Sequence, residues 1–409
     1  MIEELGIKTL DDVDPHGKTV FVRVDFNSPI DPRTKRILDD SRIRAHAETL
    51  REIVERGGKA VVLSHQGRRG EPDFVSLEQH AAILRGILEV PVRFVNDIFG
   101  ERAKRAVERL KAGEVLVLEN VRFWEGETLK KSPEEHSKSE LVENLAPLVD
   151  VFCVDAFAAA HRMHASLVGF MPVAPEVVAG RVMERELRVL YRVRNSPSHP
   201  CVYVLGGAKA EDSADLSMAV LSYGIADYVL TGGLVGQLFL YSTGVDLGEK
   251  NVRVLEEKGF LELVDRIREL ISSYPDRVKA PLDFAVDAGG VRKEVPADLL
   301  PTEHLIKDIG AATVEEYARI LREAETVVMN GPMGVFEEDA FAWGTERIFA
   351  AIAGSKALSL IGGGHTVAAA SKLGYGEKFG YVSTAGGALI EYLIKGTLPV
   401  VEALKRYSK

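Results

Sequence analysis

The strongest constraint on the fold is a unit that repeats along the chain. A short apolar run rich in β-branched residues stops at glycines or a polar cluster, and a helix-like stretch follows. Thr326-Val327-Val328-Met329 is such a run, and it stops at Asn330-Gly331-Pro332-Met333-Gly334-Val335-Phe336-Glu337. Runs that are apolar on both faces fit buried parallel strands, and their alternation with helices fits βαβ units. In open sheets of this kind, ligands bind outside the carboxyl ends of the strands. Three more runs end similarly: Val202-Tyr203-Val204-Leu205 at Gly206-Gly207-Ala208-Lys209, Tyr228-Val229-Leu230 at Thr231-Gly232-Gly233, and Leu358-Ser359-Leu360-Ile361 at Gly362-Gly363-Gly364-His365-Thr366. A lone junction of this type is a tight turn. Four on one sheet make a glycine-lined cleft in which backbone N–H groups approach a nucleotide and its phosphates. None of them reads Gly-x-x-x-x-Gly-Lys-Ser/Thr, which excludes a P-loop kinase.

The first half of the chain repeats the alternation with different chemistry at the strand ends. Thr19 to Val24 ends at Asp25-Phe26-Asn27, and Ala60 to Leu63 ends at Ser64-His65-Gln66-Gly67-Arg68. Glu114 to Leu118 ends at Glu119-Asn120-Val121-Arg122, and Val151 to Val154 is followed by Asp155 and then His161-Arg162-Met163-His164. Arg68, Arg122 and Arg162 therefore follow strands, while Arg42 sits at a helix start, where the dipole also favours an anion. Converging guanidiniums suit bidentate capture of phosphate or carboxylate. His65, His161 and His164 lack the spacing of a protein metal site, so a metalloenzyme is not expected, and positioning or hydrogen bonding near an anion is the expected work of His161 and His164. Ser76-Leu77-Glu78-Gln79 matches a capping box for a helix reaching Leu88, and Glu176 to Arg194 reads as one helix after Pro172-Val173-Ala174-Pro175.

At 409 residues the chain exceeds one ordinary core, so two domains are expected. The boundaries read as 1–172 for the anion-binding domain, 173–199 for a connecting helix and hinge, and 200–389 for the nucleotide domain, with 390–409 returning to the first. The fold class is α/β, two doubly wound parallel-sheet, Rossmann-like domains. A net charge of −10 argues against nucleic acid as a partner. No run of about 18 apolar residues offers a membrane span. The acidic start lacks a secretory signal, and the two cysteines, Cys153 and Cys201, sit inside strand-like runs and read as reduced. The expected setting is the cytoplasm, as monomer or homodimer, with small-molecule partners.

A glycine-lined cleft and an arginine-rich site together imply phosphoryl transfer between a nucleotide and an acidic small molecule. Lys209 is placed to reach the transferring phosphate, Arg42 to hold developing charge on it, and Glu337 to accept from ribose hydroxyls. At these residues the chain resembles the phosphoglycerate kinase family. Arg23-Val24-Asp25-Phe26-Asn27, Ser64 to Arg68, Glu119 to Arg122 and Ala160 to His164 are similar to its substrate-domain motifs. Gly206 to Lys209, Asp308-Ile309-Gly310, Asn330 to Glu337, Gly362-Gly363-Gly364 and Val382 to Gly387 are similar to its nucleotide-domain motifs.

The resemblance implies that Asp25, Asn27, Arg42, His65, Arg68, Arg122 and Arg162 bind 3-phosphoglycerate or 1,3-bisphosphoglycerate, with Arg42 and Lys209 catalytic. It implies that Gly206, Gly207, Ala208, Lys209, Gly232, Gly233, Asn330, Gly331, Pro332, Gly334, Glu337, Gly363, Gly364, His365 and Thr366 line the site for ADP or ATP with Mg²⁺. It also implies hinge closure. Two positions depart from the family pattern: Ser213 stands where a second lysine is common, and His365 where an aspartate is linked to magnesium-nucleotide binding. Both changes resemble archaeal-type members. Two alternatives stay open. Gly232-Gly233-Leu234-Val235-Gly236 loosely resembles a dinucleotide fingerprint and would suit an NAD-linked oxidoreductase, although the full Gly-x-Gly-x-x-Gly is missing. Ser213 and His365 would also fit a binding protein without turnover.

Overall fold

The computed structural model describes residues 3–408, and the chain forms two compact units. One runs as far as Arg188 and takes in the residues from Thr397 onward, and the other is Val189–Gly396.

In the first unit, six parallel strands form one sheet: β1 (Thr19–Arg23), β2 (Lys59–Leu63), β3 (Val92–Phe94), β4 (Val115–Val117), β5 (Val151–Val154) and β6 (Glu176–Ala179), in the order β3-β4-β2-β1-β5-β6. Val20 stands opposite Ala60 on one side and Val151 on the other, so β1 is central. Successive side chains point to opposite faces. Val20, Val22 and Val24 join the core formed with Ile43, Ala47, Leu50, Ile53 and Val54 of the helix Ser41–Glu55. That three-and-four spacing is the apolar stripe of a helix lying on a sheet. Phe21 points the other way, with its ring 5.8 Å from that of Phe170. Both faces are covered, which is why the strand reads as an unbroken apolar run.

Two local expectations fail. Glu176 to Arg194 is not one helix: Glu176–Ala179 is β6, paired parallel with β5, and the helix is Arg181–Asn195. The β-branched pair Val177-Val178 is buried at the sheet edge, where strand pairing outweighs the helical pattern downstream. The match at Ser76 is not a capping box. The helix is Glu78–Leu88, flanked by Leu77, whose side chain cannot cap it; the Ser76 hydroxyl accepts from Glu78 N–H at 3.2 Å and donates to Glu119 Oε2 at 2.8 Å. Capping boxes close instead at Thr9 with Asp12 and at Ser132 with Glu135.

The helix Pro399–Tyr407 packs in this first unit. Val400 N–H donates to the Ala160 carbonyl at 3.1 Å, and Ser408 Oγ donates to the Val177 carbonyl at 2.8 Å while accepting from Lys8 N–H at 2.7 Å.

The strands of the second unit are β7 (Cys201–Leu205), β8 (Tyr228–Thr231), β9 (Val278–Lys279), β10 (Asp283–Asp287), β11 (Arg292–Pro296), β12 (Leu305–Ile309), β13 (Thr326–Asn330), β14 (Leu358–Gly362) and β15 (Tyr381–Val382). A parallel sheet has the order β15-β14-β13-β7-β8-β9, and a small antiparallel sheet has the order β11-β10-β12. The antiparallel sheet escapes the sequence pattern because β11, Arg-Lys-Glu-Val-Pro, is a largely exposed edge without an apolar run. Cys153 and Cys201 are buried in β5 and β7, and burial pushes the Cys201 thiol up to about 12. No helix among the described residues is long and apolar enough to cross a membrane.

Candidate active site

Parallel strands bring their carboxyl ends to one edge. In the first unit, β4, β2, β1 and β5 are neighbours, so Arg122, His65 with Arg68, Asp25 with Asn27, and Arg162 are delivered to the same edge. Asn27, His65, Gly67, Arg68, Asp73, Arg122 and Arg162 line a cavity of about 400 Å³. Arg68, Arg122 and Arg162 also face an adjoining space of about 480 Å³, with Arg69, Trp124, Thr128 and His164. Gly67 is needed at the cavity wall. Its φ is +66°, and a Cβ there would strike the Asp73 backbone. Asn27 Oδ1 accepts from Gly67 N–H at 2.8 Å, and Arg122 Nη1 donates to the Gly67 carbonyl.

The cluster is short of negative charge. Burial, then the neighbouring Arg162 and Arg23, push Arg122 down to about 10. Burial and Arg68 lower Arg162 as well. Guanidiniums that depress one another are stabilised by an entering anion. The carboxylate partner of Arg42 is Asp25, which pairs with its Nη1. Burial would raise Asp25, but the guanidiniums of Arg42 and Arg23 outweigh it and hold the carboxyl at about 2.

Beneath the cavity lies a layer whose role the sequence does not disclose. Arg23, the last residue of β1, is fully buried; its Nε donates to Ser166 Oγ at 2.8 Å, and Ser166 Oγ donates to Glu127 Oε1 at 2.6 Å. Arg23 Nη2 lies 3.1 Å from His65 Nδ1. A guanidinium can only donate, so Nδ1 accepts, and the proton of the neutral ring sits on Nε2. Burial first, with Arg23, Arg122 and Arg162 also unfavourable to a cation, keeps His65 well below its ordinary value.

In the second unit the neighbours are β14, β13, β7 and β8, the four strands that end in the glycine junctions. Their ends enclose a cavity of about 260 Å³ lined by Gly206, Gly207, Ala208, Lys209, Gly233, Asn330, Gly331, Pro332, Gly334, Glu337, Gly363, Gly364, His365 and Thr366. Leu234, Gln237, Ile306, Lys307 and Val335 also line it. Ile306 and Lys307 come from β12 of the antiparallel sheet, the element that the sequence pattern misses. Gly232 does not line the cavity. A Cβ there would meet Met333 at 3.2 Å from its Cα and closer still to its sulfur, so this glycine makes room for the loop.

Backbone groups weave this site. Gly206 N–H donates to the Asn330 carbonyl at 2.9 Å, Gly207 N–H to the Pro332 carbonyl at 2.8 Å, and Gly233 N–H to the Met333 carbonyl at 2.8 Å. Gly331 has φ +94°, and a Cβ there would strike the Gly206 backbone. Its N–H donates to Thr366 Oγ1 at 2.6 Å. Lys209 begins the helix Ala210–Ser222, exposed, with Nζ 3.8 Å from Asp212 Oδ2. Ser213 is buried in that helix and does not reach the cavity. His365 and Glu337 are both exposed, 3.8 Å apart. No group of three or more His, Cys, Asp or Glu that could hold a metal ion occurs among the described residues.

The loop bearing Gly334 is tied to β12 by Val335 N–H, which donates to the Lys307 carbonyl at 2.8 Å, and the adjacent Asp308 anchors the start of the next helix. The Asp308 carboxylate accepts from Gly344 N–H at 2.7 Å and from Arg292 Nη1 at 2.7 Å. Burial pushes Asp308 up to about 6 against these partners.

The family model for phosphoglycerate kinase matches residues 10–396. The phosphoglycerate kinase of Methanothermobacter thermautotrophicus is 49% identical over 398 residues, covering 97% of this chain and 96% of that protein. That of Methanothermus fervidus is 44% identical over 401 residues, covering 98% and 97%. The crystal structure of phosphoglycerate kinase from Pyrococcus horikoshii superposes with a TM-score of 0.91 at 41% identity, covering 98% of this chain and all of that one. The two parallel six-stranded sheets, the full-length match and this level of identity agree: the chain belongs to the phosphoglycerate kinase family and is a glycolytic phosphotransferase.

Proposed function

We propose that the chain moves a phosphoryl group reversibly between ATP and the carboxylate of 3-phosphoglycerate, giving ADP and 1,3-bisphosphoglycerate. The observation that carries this is the convergence of Arg68, Arg122 and Arg162 with His65 and Asn27 on one cavity of the first unit. A small polyanion with a phosphate, a carboxylate and one hydroxyl matches that set: guanidiniums for the phosphate, the Nε2–H of His65 and the amide of Asn27 for the remaining oxygens. The nucleotide belongs to the glycine-lined cavity of the second unit, where a backbone without Cβ atoms leaves room for the phosphates.

Within this reading Arg42, steadied by Asp25, stabilises charge on the transferring group, and Lys209 does so from the start of its helix. The attacking carboxylate is already ionised near neutral pH, so no general base is needed. A magnesium ion bound with the nucleotide would supply neutralisation of the phosphate charge. The side chains at the nucleotide cavity do not make a cage for it, and His365 offers an imidazole where a hard cation prefers oxygen. The partners are free small molecules, and the setting is the cytoplasm.

The test is turnover of the purified protein with Mg-ATP and 3-phosphoglycerate, coupled to NADH oxidation through glyceraldehyde-3-phosphate dehydrogenase. Steady oxidation that requires both substrates is expected. Binding of both ligands without turnover would overturn the catalytic reading and put Ser213 and His365 first among suspects.

A further inference from the structure

Between the substrate edge of the first unit and the start of the helix Arg181–Asn195 runs a chain of buried hydrogen bonds through a residue outside the family motifs, His46. It projects from the helix Ser41–Glu55, one turn beyond Arg42, and is buried. The backbone N–H of Asp25 donates to His46 Nε2 at 3.1 Å. Because an N–H cannot accept, Nε2 must be the unprotonated nitrogen, and Nδ1 carries the hydrogen. Nδ1 lies 2.8 Å from Asp155 Oδ2, an acceptor, so the same tautomer is demanded from both sides. The other oxygen of Asp155 accepts from Val182 N–H at 2.8 Å and Met183 N–H at 3.2 Å, which caps the helix Arg181–Asn195. Gly180 makes this closure possible, since a Cβ there would strike the Asp155 carboxylate. The side chain of Asp25 pairs with Arg42.

We propose that His46 is a positioning residue for phosphoryl transfer: locked as its Nδ1–H tautomer, it fixes the Asp25 backbone, and through Asp25 the guanidinium of Arg42. This rests on the reading that Arg42 serves the transferring group. Neither His46 nor Asp25 lines the cavity, so the effect of His46 is on placement. A misplacement of the order of 1 Å in a group that meets the transition state costs as much as roughly a hundredfold in rate. The link also ties the setting of Arg42 to the first turn of the helix by which the chain passes on toward Val189.

Amide replacements separate the two halves of the link. The carbonyl oxygen of His46→Gln falls where Nε2 stood and keeps the acceptor for Asp25 N–H. The amide nitrogen of His46→Asn falls where Nδ1 stood and keeps only the donor to Asp155. The full-length variants are to be assayed in the coupled reaction beside His46→Ala and Arg42→Ala, with nucleotide affinity measured by calorimetry. His46→Asn and His46→Ala are expected to lower kcat by about tenfold or more with the nucleotide Kd within about twofold of the parent, and His46→Gln to recover most of the loss. If His46→Ala does not fold, the Gln and Asn pair alone decides. Equal kcat in Gln and Asn, or a fall in thermal stability with kcat unchanged, overturns the proposal while Arg42→Ala stays inactive. Full turnover by Arg42→Ala would instead overturn the reading of Arg42 itself.

Discussion

The two units reach the same design with different materials. Each ends four neighbouring parallel strands at one cavity. In the first unit the walls are side chains, set on paired groups beneath: half-buried Arg42 on Asp25, and, fully buried, His65 on Arg23, Arg23 on Ser166 and Ser166 on Glu127. In the second unit the walls are mostly main chain, stitched by Gly206, Gly207 and Gly233 to the carbonyls of Asn330, Pro332 and Met333. A site of side chains carries its own charge and tolerates backbone adjustment. One of main chain has its geometry set by the absence of Cβ atoms. The first is therefore vulnerable to losing a group, the second to gaining one.

The largest expected effect tests the side-chain site. Arg42→Ala should lower kcat by about a hundredfold or more while nucleotide affinity stays within about threefold, read by the coupled assay and calorimetry. Near-normal kcat would remove Arg42 from the chemistry. Next comes the main-chain site: Gly331→Ala puts a methyl against the Gly206 backbone at a φ of +94°. It should weaken nucleotide binding by about tenfold or more, with phosphoglycerate affinity unchanged. Unchanged nucleotide binding would mean that the loop adapts as easily as a side chain, and the contrast between the units would collapse.

A smaller effect is on stability. The Asp25 carboxyl is brought from an ordinary 3.8 to about 2. A depressed acid stabilises the fold above its unfolded value and loses that contribution as pH falls through the folded one. Asp25→Asn should therefore cost about 2 kcal/mol at neutral pH, with the gap to the parent closing between about pH 4 and pH 2. Denaturant melts across that range would check it, and a gap independent of pH would reject the charge pairing as its source. The smallest effect is expected at His365, exposed at the rim of the nucleotide cavity. His365→Ala should change the KM for ATP by less than about threefold, because the walls there are backbone. A larger change would show that side chains matter in the second unit too.

The same contrast governs what the sequence discloses. Arg68, Arg122 and Arg162 are legible because each lies in the segment that follows an apolar run, and the glycine junctions announce themselves by composition. The buried roles of Arg23, Ser166, Glu127 and His46 are not. Arg23 is embedded in a strand, and His46 in a helix whose apolar stripe accounts for its position. Their polarity is satisfied only by residues distant in sequence, as in the Arg23–Ser166 and His46–Asp155 contacts. Ile306 and Lys307 escape for another reason: they belong to an antiparallel sheet whose edge strand is charged and exposed. Gly232 is the converse error. Its motif places it at the site, while packing against Met333 explains why a side chain is excluded there.

The helix Pro399–Tyr407 belongs to the first unit but follows the whole second unit in chain order. During synthesis, then, the order of birth and the order of completion are reversed. The second unit can close as soon as Gly396 has emerged, while the first still lacks Val400, Val401, Leu404 and the Ser408 hydroxyl that joins Lys8 to Val177. Until those residues arrive, the earlier-made unit carries an apolar gap beside β6. A nascent chain stalled after residue 396 should therefore bind chaperones through its first unit rather than its second.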